Sequence, residues 1–124
     1  MLFRSHARDA GRVILRAAEN PRGEEAQTLR AFWRLAARFA GDMAMAFVAS
    51  GGVILAGGML PRMVDFLDVA DFRASFENRA PYMEFARKIP VSLLVQKDTV
   101  LEGLAAIARD PDAYAIDYDA RLWR

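Results

Sequence analysis

Two pairs of adjacent glycines enclose a short apolar run in the middle of the chain, Gly51-Gly52-Val53-Ile54-Leu55-Ala56-Gly57-Gly58. Because glycine has no side chain, a pair of glycines after a strand either makes a tight turn or lets the backbone approach a ligand closely. The run lacks G-x-G-x-x-G spacing and no lysine follows its glycines, so it is neither a dinucleotide fingerprint nor a P-loop. We interpret Gly51-Gly52 as a turn, and Gly57-Gly58 as either a turn or a ligand contact.

The side chains that could act as acids, bases or metal ligands are scattered. Asp42 lies among apolar residues of a predicted helix, and we interpret it as a helix-end partner or a surface residue. His6, the one histidine, lies near the amino terminus and is interpreted as solvated. Asp65, Asp68 and Asp71 lack the spacing of a calcium loop and fit exposed helix positions and a cap. The sequence therefore offers no catalytic residue and no metal site.

Three arginines, Arg30, Arg34 and Arg38, recur at a spacing of four and share one face of a predicted helix. A solvated face is favoured over a site for a phosphate or an acidic partner. The aromatic residues follow core spacing and do not alternate with basic clusters, so they do not form the stacking platforms of nucleic-acid-binding proteins.

The composition is that of a folded chain without a strong net charge. The chain has 124 residues, 54 % of them hydrophobic and 27 % charged, a net charge of +1 and no cysteine. These values predict one domain or a piece of a larger one, no charge-driven binding to nucleic acid, and a reducing compartment, by default the cytoplasm. The most apolar stretch, residues 40–60, contains Asp42 and five glycines, so it is not expected to span a membrane.

The first half of the chain has helical periodicity up to the glycine run. Apolar spacing predicts a short helix over 9–19 and a long one over 24–49. Gly41, inside the long helix, indicates either close approach of another element or a kink. Residues 53–56 are predicted to be a buried central strand with other strands as neighbours.

The second half alternates short helices with a strand. Pro61 is predicted to open one short helix, Asp71 to cap a second, and Pro81 to open a third that runs to Arg87. A second strand is predicted over 89–96. The remaining predictions are a helix over 100–109, begun by a capping box of Thr99 and Glu102, and a tail over 110–124 that packs on the domain. The class is α/β with helices dominating.

The glycine run together with Met59-Leu60-Pro61-Arg62 resembles the signature of bacterial glucokinases, members of the actin-like sugar kinase superfamily. Residues 38–44 are similar to the family's helix with a glycine at its middle. Residues 72–79, 88–91 and 101–106 resemble its FRA-x-FE segment, its IPV strand entry and its closing L-x-G-x-A helix, in the family's order. The resemblance covers about residues 9–109.

This resemblance implies the helix-dominated, carboxy-terminal part of a ribonuclease H-like (actin-like ATPase) large domain with a truncated sheet. It implies that residues 1–124 form a single partial domain on the nucleotide side. By the same resemblance, Gly57 and Gly58 would contact the adenosine of ATP, which would bring Mg²⁺ to the complete enzyme. Met59 and Leu60 would add apolar contacts to the base.

Several elements that the family uses for catalysis are absent from the sequence. There is no Asn-Asp pair to supply the general base, no D-x-G-G-T-N-type phosphate loop and no sugar-binding motif. We therefore expect the adenosine-binding portion of an ATP-dependent glucokinase, inactive alone, with glucose bound only through the missing part. The alternative is a non-catalytic oligomerisation or regulatory module. A sheet of two strands leaves unpaired edges, so we also expect a homodimer or cover by the tail.

Overall fold

The computed structural model describes residues 3–96, 98–110 and 113. It begins with two helices, α1 (Phe3–Glu19) and α2 (Glu24–Ala46). The chain turns between them at Asn20, whose amide donates to the carbonyl of Arg16 at 3.0 Å. The predicted end of the first helix is confirmed, although that helix begins earlier than residue 9. The predicted long helix is confirmed and ends slightly before residue 49.

The elements that follow α2 are short and alternate between strand and helix. They are β1 (Val53–Leu55), a 3-10 helix (Leu60–Phe66), α3 (Val69–Glu77), α4 (Met83–Lys88), β2 (Val91–Leu93) and α5 (Thr99–Arg109). Each predicted element has a counterpart at its predicted place, although both strands are shorter than expected. Within the described residues, no helix is both long and apolar enough to cross a membrane.

The hydrophobic core is built around α2. Trp33 is buried there, and its indole Nε1 donates to the carbonyl oxygen of Met63 at 2.9 Å. The same indole and the ring of Phe72 in α3 pack in an edge-to-face arrangement. The buried cluster comprises Ala17, Ala26, Leu29, Trp33, Ala37, Ala40, Ala44, Met63, Phe72, Phe76 and Ile89. Small residues on α2 thus let α1 and α3 approach it closely.

Gly41 marks the closest approach between α2 and α3. A Cβ added to Gly41 would lie 2.6 Å from the carbonyl oxygen of Phe76, a distance that real Cβ atoms do not reach. The prediction that another element packs against this glycine is confirmed, and α2 continues through it.

The two strands form a parallel sheet in which Val53 pairs with Val91 and Leu55 with Leu93. Leu94 N continues the ladder beyond β2 by donating to the carbonyl of Leu55 at 2.9 Å. The prediction that the first strand is a fully buried central strand is wrong. Ile54 is 72 % exposed, because the described helices cover only one face of the sheet and β1 has β2 as its one described neighbour.

Two predicted helix caps are also wrong. The cap of α3 is Asp68, whose Oδ1 accepts from the amide of Asp71 at 3.0 Å, so Asp71 lies inside the first turn. At α5 the residue before the helix is Asp98 in a left-handed conformation (φ 60°). Thr99 Oγ1 instead donates to the carbonyl of Gln96 at 3.0 Å. Glu102 accepts from the Gln96 side-chain amide at 2.5 Å, so neither side chain makes the capping-box bonds.

The architecture agrees with the predicted α/β class, with helices dominating and a sheet reduced to two strands. The assignment to a ribonuclease H-like domain and the division into a partial domain with a tail stay predictions. The tail over 110–124 lies mostly outside the described residues.

Candidate functional site

A cleft of about 530 Å³ lies at the carboxyl ends of the two parallel strands. Gly57 and Gly58 line it just after β1, and Leu94 and Gln96 line it just after β2. Ligands of open α/β sheets bind outside the carboxyl ends of the strands, where the connections diverge. The structure therefore brings the predicted glycine pair to the part of the fold where a ligand site is expected.

The two glycines have different backbone requirements. Gly57 has φ 148°, a conformation that residues with a side chain rarely adopt. Gly58 has no positive φ. A Cβ built on either residue would meet no described protein atom within 4 Å. The space beside both glycines is thus open to the cleft, and the backbone of Gly57 explains a glycine there without any ligand.

The other glycine pair is part of the connection from α2 to β1. Gly52 has φ 121°, and its amide donates to the carbonyl of Ala49 at 3.0 Å. A Cβ on Gly52 would lie 3.1 Å from Cγ of Pro90. The turn and the close packing against Pro90 account for the glycine at position 52. Both glycines lie in the connection between α2 and β1, where the sequence predicts a turn.

The remaining walls come from two elements, of which the sequence connected only the one that begins at Pro61 to the glycines. Pro61 and Arg62, at the start of the 3-10 helix, form one wall. The start of α5 forms the other, with apolar Val100 and Leu101 beside polar Asp98 and Thr99. The rule that parallel strands share their carboxyl edge could have located this second wall, because α5 follows β2.

Met59 and Leu60 do not line the described part of this cleft. Leu60 instead packs against the hydrophobic core. The apolar surface next to the glycines comes from Leu94, Val100 and Leu101. The expectation that Met59 and Leu60 contact a base is therefore not met by the cleft.

The charges of the cleft are one cation and one anion among its described lining residues, Arg62 and Asp98. The Arg62 side chain reaches toward α1, because its Nη2 lies 3.5 Å from where a Cβ on Gly11 would be. The first turn of α5 also faces the cleft, and helix amino termini carry a partial positive charge. The other described lining residues are uncharged, with Gln96 and Thr99 as the polar ones among them, which suits a flat ring more than a multiply charged group.

The acidic residues considered in the sequence lie elsewhere. Asp42 is an exposed residue of α2 whose Oδ1 lies 2.9 Å from Nε of Arg79. This close approach lacks the angle of a hydrogen bond, since Arg79 Nε has no hydrogen-bond partner. Asp42 is thus a surface residue, as interpreted. Within the described residues, no three acidic, histidine or cysteine side chains are grouped as a metal site would require.

The arginine face of α2 is partly engaged with the chain itself. Arg30 Nη2 donates to the carbonyl of Pro21 at 2.9 Å. Arg34 Nε lies 3.6 Å from Oδ2 of Asp71. These contacts agree with an ordinary helix face, the favoured interpretation of the spacing.

Comparison with known proteins decides the family. The glucokinase family model matches residues 3–111. The chain belongs to the glucokinase family. The matched residues include both strands, the cleft and every helix of the described part of the chain, so the glucokinase-family assignment applies to the whole arrangement described above.

Curated glucokinases of several bacteria are similar to the chain. It is 39 % identical over 98 residues to the glucokinase of Allorhizobium ampelinum, covering 79 % of this chain and 29 % of that protein. It is 42 % identical over 98 residues to that of Sinorhizobium fredii, with the same shares. With the glucokinase of Rhizobium meliloti it shares 36 % identity over 116 residues, 94 % of this chain and 34 % of that protein.

The chain therefore spans about three tenths of the length of these glucokinases. No solved structure matches the chain.

Proposed function

We propose that the chain is the carboxy-terminal, adenosine-binding portion of an ATP-dependent glucokinase, which transfers phosphate from ATP to glucose. The observation that carries this proposal is the open space beside Gly57 and Gly58, where an added Cβ would meet no described atom within 4 Å. A backbone without side chains at the mouth of a cleft allows a ribose and a base to approach closely.

The remaining features of the cleft fit an adenosine. Its volume, about 530 Å³, is within the range of roughly 300–1,000 Å³ that is usual for small-molecule sites. Leu94, Val100 and Leu101 offer an apolar surface to a planar base, while Gln96, Asp98 and Thr99 offer polar groups to its edge or to the ribose. ATP would supply the phosphoryl group and bring Mg²⁺ with it.

The chain alone is not expected to phosphorylate glucose. Phosphoryl transfer depends on positioning and on stabilisation of charge, and a base must orient the attacking hydroxyl. The sequence has no Asn-Asp pair and no phosphate loop of the family's type. The base, the sugar ligands and the phosphate loop would come from a further glucokinase segment, in the cytoplasm.

The experiment is a calorimetric titration of the chain with ATP, which measures the dissociation constant. We expect weak binding that Gly58→Val reduces at least about tenfold, because the new side chain fills the open space beside the base. Gly58 suits this test better than Gly57, whose φ of 148° would add backbone strain to any substitution. Gly51→Val is the matched control, since a Cβ there also meets no atom within 4 Å and Gly51 does not line the cleft.

Two results would contradict the proposal. One is equal affinity of the Gly58→Val and Gly51→Val variants for ATP. The other is formation of glucose 6-phosphate by the chain alone, which would show that it contains a catalytic base. A folded chain without any affinity for ATP would favour the alternative, a non-catalytic oligomerisation or regulatory module.

A further inference from the structure

Asp98 lies directly before α5, and its carboxylate does not cap that helix. An aspartate at this position usually has an extended backbone, from which its side chain accepts from an amide of the first turn. Asp98 instead has φ 60° and ψ 21°, a left-handed conformation, and its side chain makes no capping hydrogen bond. Its backbone carbonyl accepts from the amide of Glu102 at 3.0 Å. The carboxylate is therefore available to another partner.

The two uncharged polar side chains that line the cleft are already bonded within the chain. Thr99 Oγ1 donates to the carbonyl of Gln96 at 3.0 Å, and Gln96 Nε2 donates to Oε2 of Glu102 at 2.5 Å. The carboxylate of Asp98, by contrast, makes no ion pair with any residue that the structure describes. Asp98 therefore keeps both carboxylate oxygens for a ligand in the cleft that it lines.

The charge of Asp98 decides which part of a nucleotide can lie beside it. A carboxylate repels a triphosphate, and it accepts hydrogen bonds without donating any, so its partner must be a donor. A ribose offers two neighbouring hydroxyls, which match the two oxygens of one carboxylate, whereas adenine offers one amino group. In dinucleotide-binding folds an acidic side chain accepts from a ribose hydroxyl in the same way. The ribose is therefore the part of the nucleotide that suits Asp98 best.

The positive charge of the cleft lies on a different wall from Asp98. Arg62 is the cation among the described lining residues, and it belongs to the 3-10 helix (Leu60–Phe66). Attraction of a triphosphate to Arg62 and its repulsion from Asp98 therefore act in the same direction. Both favour an orientation of the nucleotide in which the ribose hydroxyls, and not the phosphates, lie beside the start of α5.

We infer that the carboxylate of Asp98 accepts hydrogen bonds from both ribose hydroxyls of the bound nucleotide, so that the cleft selects ribonucleotides over 2′-deoxyribonucleotides. This inference rests on the proposed adenosine site and adds to it the group that recognises the sugar. A nucleotide without the 2′-hydroxyl leaves one carboxylate oxygen without its donor. Hydrogen bonds to a charged group are among the stronger ones, and the loss of one corresponds to about tenfold in affinity.

Calorimetric titration of the chain with ATP and with 2′-deoxy-ATP tests the inference. We expect the wild-type chain to bind ATP at least about tenfold more tightly than 2′-deoxy-ATP. Asp98→Gly removes the carboxylate but keeps the backbone conformation, because glycine adopts a positive φ without strain. In this variant the two nucleotides should bind with equal affinity, since nothing remains to distinguish their sugars.

A second variant and a control separate the carboxylate from general effects of charge and folding. Asp98→Asn keeps the shape of the side chain and tolerates the left-handed backbone, so it should reduce the preference for ATP without abolishing it. Asp65→Asn removes the same charge from an exposed residue of the 3-10 helix that does not line the cleft, and it should keep the wild-type preference. Circular dichroism establishes that each variant is folded, and Asp98→Asn takes the place of Asp98→Gly if the latter is not.

Two outcomes would overturn this inference alone. One is equal affinity of the wild-type chain for ATP and 2′-deoxy-ATP. The other is a preference for ATP that Asp98→Gly leaves unchanged, which would result if Asp98 acted on the triphosphate or its Mg²⁺ and both nucleotides lost affinity by the same factor. In either case, binding of ATP that Gly58→Val still weakens would leave the proposed adenosine site in place. A folded chain without any affinity for ATP would overturn the site and this inference together.

Discussion

Gly41 of α2 lies against the carbonyl oxygen of Phe76 in α3, which an added Cβ would approach to 2.6 Å. The guanidinium of Arg79 also lies close to this position, with its Cζ 3.0 Å from the added atom. Two helices of the core thus meet where the long helix has no side chain.

We expect Gly41→Ala to lower the free energy of unfolding by about 1–3 kcal/mol, because the backbones must separate to admit a methyl group. This loss should appear although alanine favours a helix by ~1 kcal/mol over glycine. Urea denaturation measures it. The control is Gly103→Ala in α5, where a Cβ meets nothing within 4 Å. That variant should be equally or more stable than the wild type, and equal stability of Gly41→Ala would contradict the expectation.

Arg73 connects α3 to the end of α4 and to the residue that follows it, Ile89. Its Nη1 donates to the carbonyl of Ile89 at 3.0 Å and its Nη2 to that of Arg87 at 3.2 Å. The same guanidinium pairs with Glu77 at 2.7 Å. The planar fork of arginine can reach these groups together, whereas the single ammonium of lysine cannot.

Arg73→Lys is therefore expected to destabilise the fold by about 1–3 kcal/mol, the usual effect of losing hydrogen bonds to a charged group. Arg87→Lys is the comparison. Arg87 is half exposed and makes ion pairs with Glu84 at 2.6 Å and with Glu77 at 3.5 Å but no bond from its side chain to a backbone carbonyl among the described residues, so this substitution should change the stability by less than ~0.5 kcal/mol. Thermal and urea unfolding of the two variants should separate them. Equal effects would mean that the bonds from Arg73 to the carbonyls contribute little.

Asp68 and Asp71 give a third prediction, which concerns the start of α3. Asp68→Ala removes the side chain that accepts from the Asp71 amide and should cost about 1 kcal/mol. Asp71→Ala removes a partly exposed carboxylate 3.6 Å from Arg34 and should cost less than ~0.5 kcal/mol. Urea denaturation of both variants shows which substitution lowers the free energy of unfolding more. A larger loss for Asp71→Ala than for Asp68→Ala would indicate that Asp71 is the cap.

The sequence predicted the positions of the helices and strands better than it predicted their burial and their caps. Apolar periodicity predicted α1 and α2, whereas prolines and capping residues predicted the shorter helices that follow. Gly41 indicated either the close contact with α3 that the structure has or a kink. The burial of β1 was misjudged at Ile54, because an apolar strand does not reveal how many sheet faces are covered. Asp71 was chosen as a cap because the apolar spacing begins at Phe72, whereas the helix begins at Val69, a residue 66 % exposed.

The candidate site was predictable in part. The glycine run identified one side of the cleft. That Gly57 and Gly58 contact adenosine stays a prediction. Leu94 and Leu101 were missed because they adjoin the glycines only once the strands pair. Arg73 gave no signal of its own either, since its role depends on carbonyl groups from a different part of the chain.

The parallel pairing of Val53 with Val91 also bears on when the cleft can exist during synthesis. β1 and its glycines leave the ribosome first, but the second strand follows only after α3 and α4 have been made. Pairing across such a long loop is slow compared with helix formation. A nascent chain that ends before β2 thus contains the whole glycine run but no cleft. The glycine motif is therefore synthesised before the site at which a ligand could bind has formed.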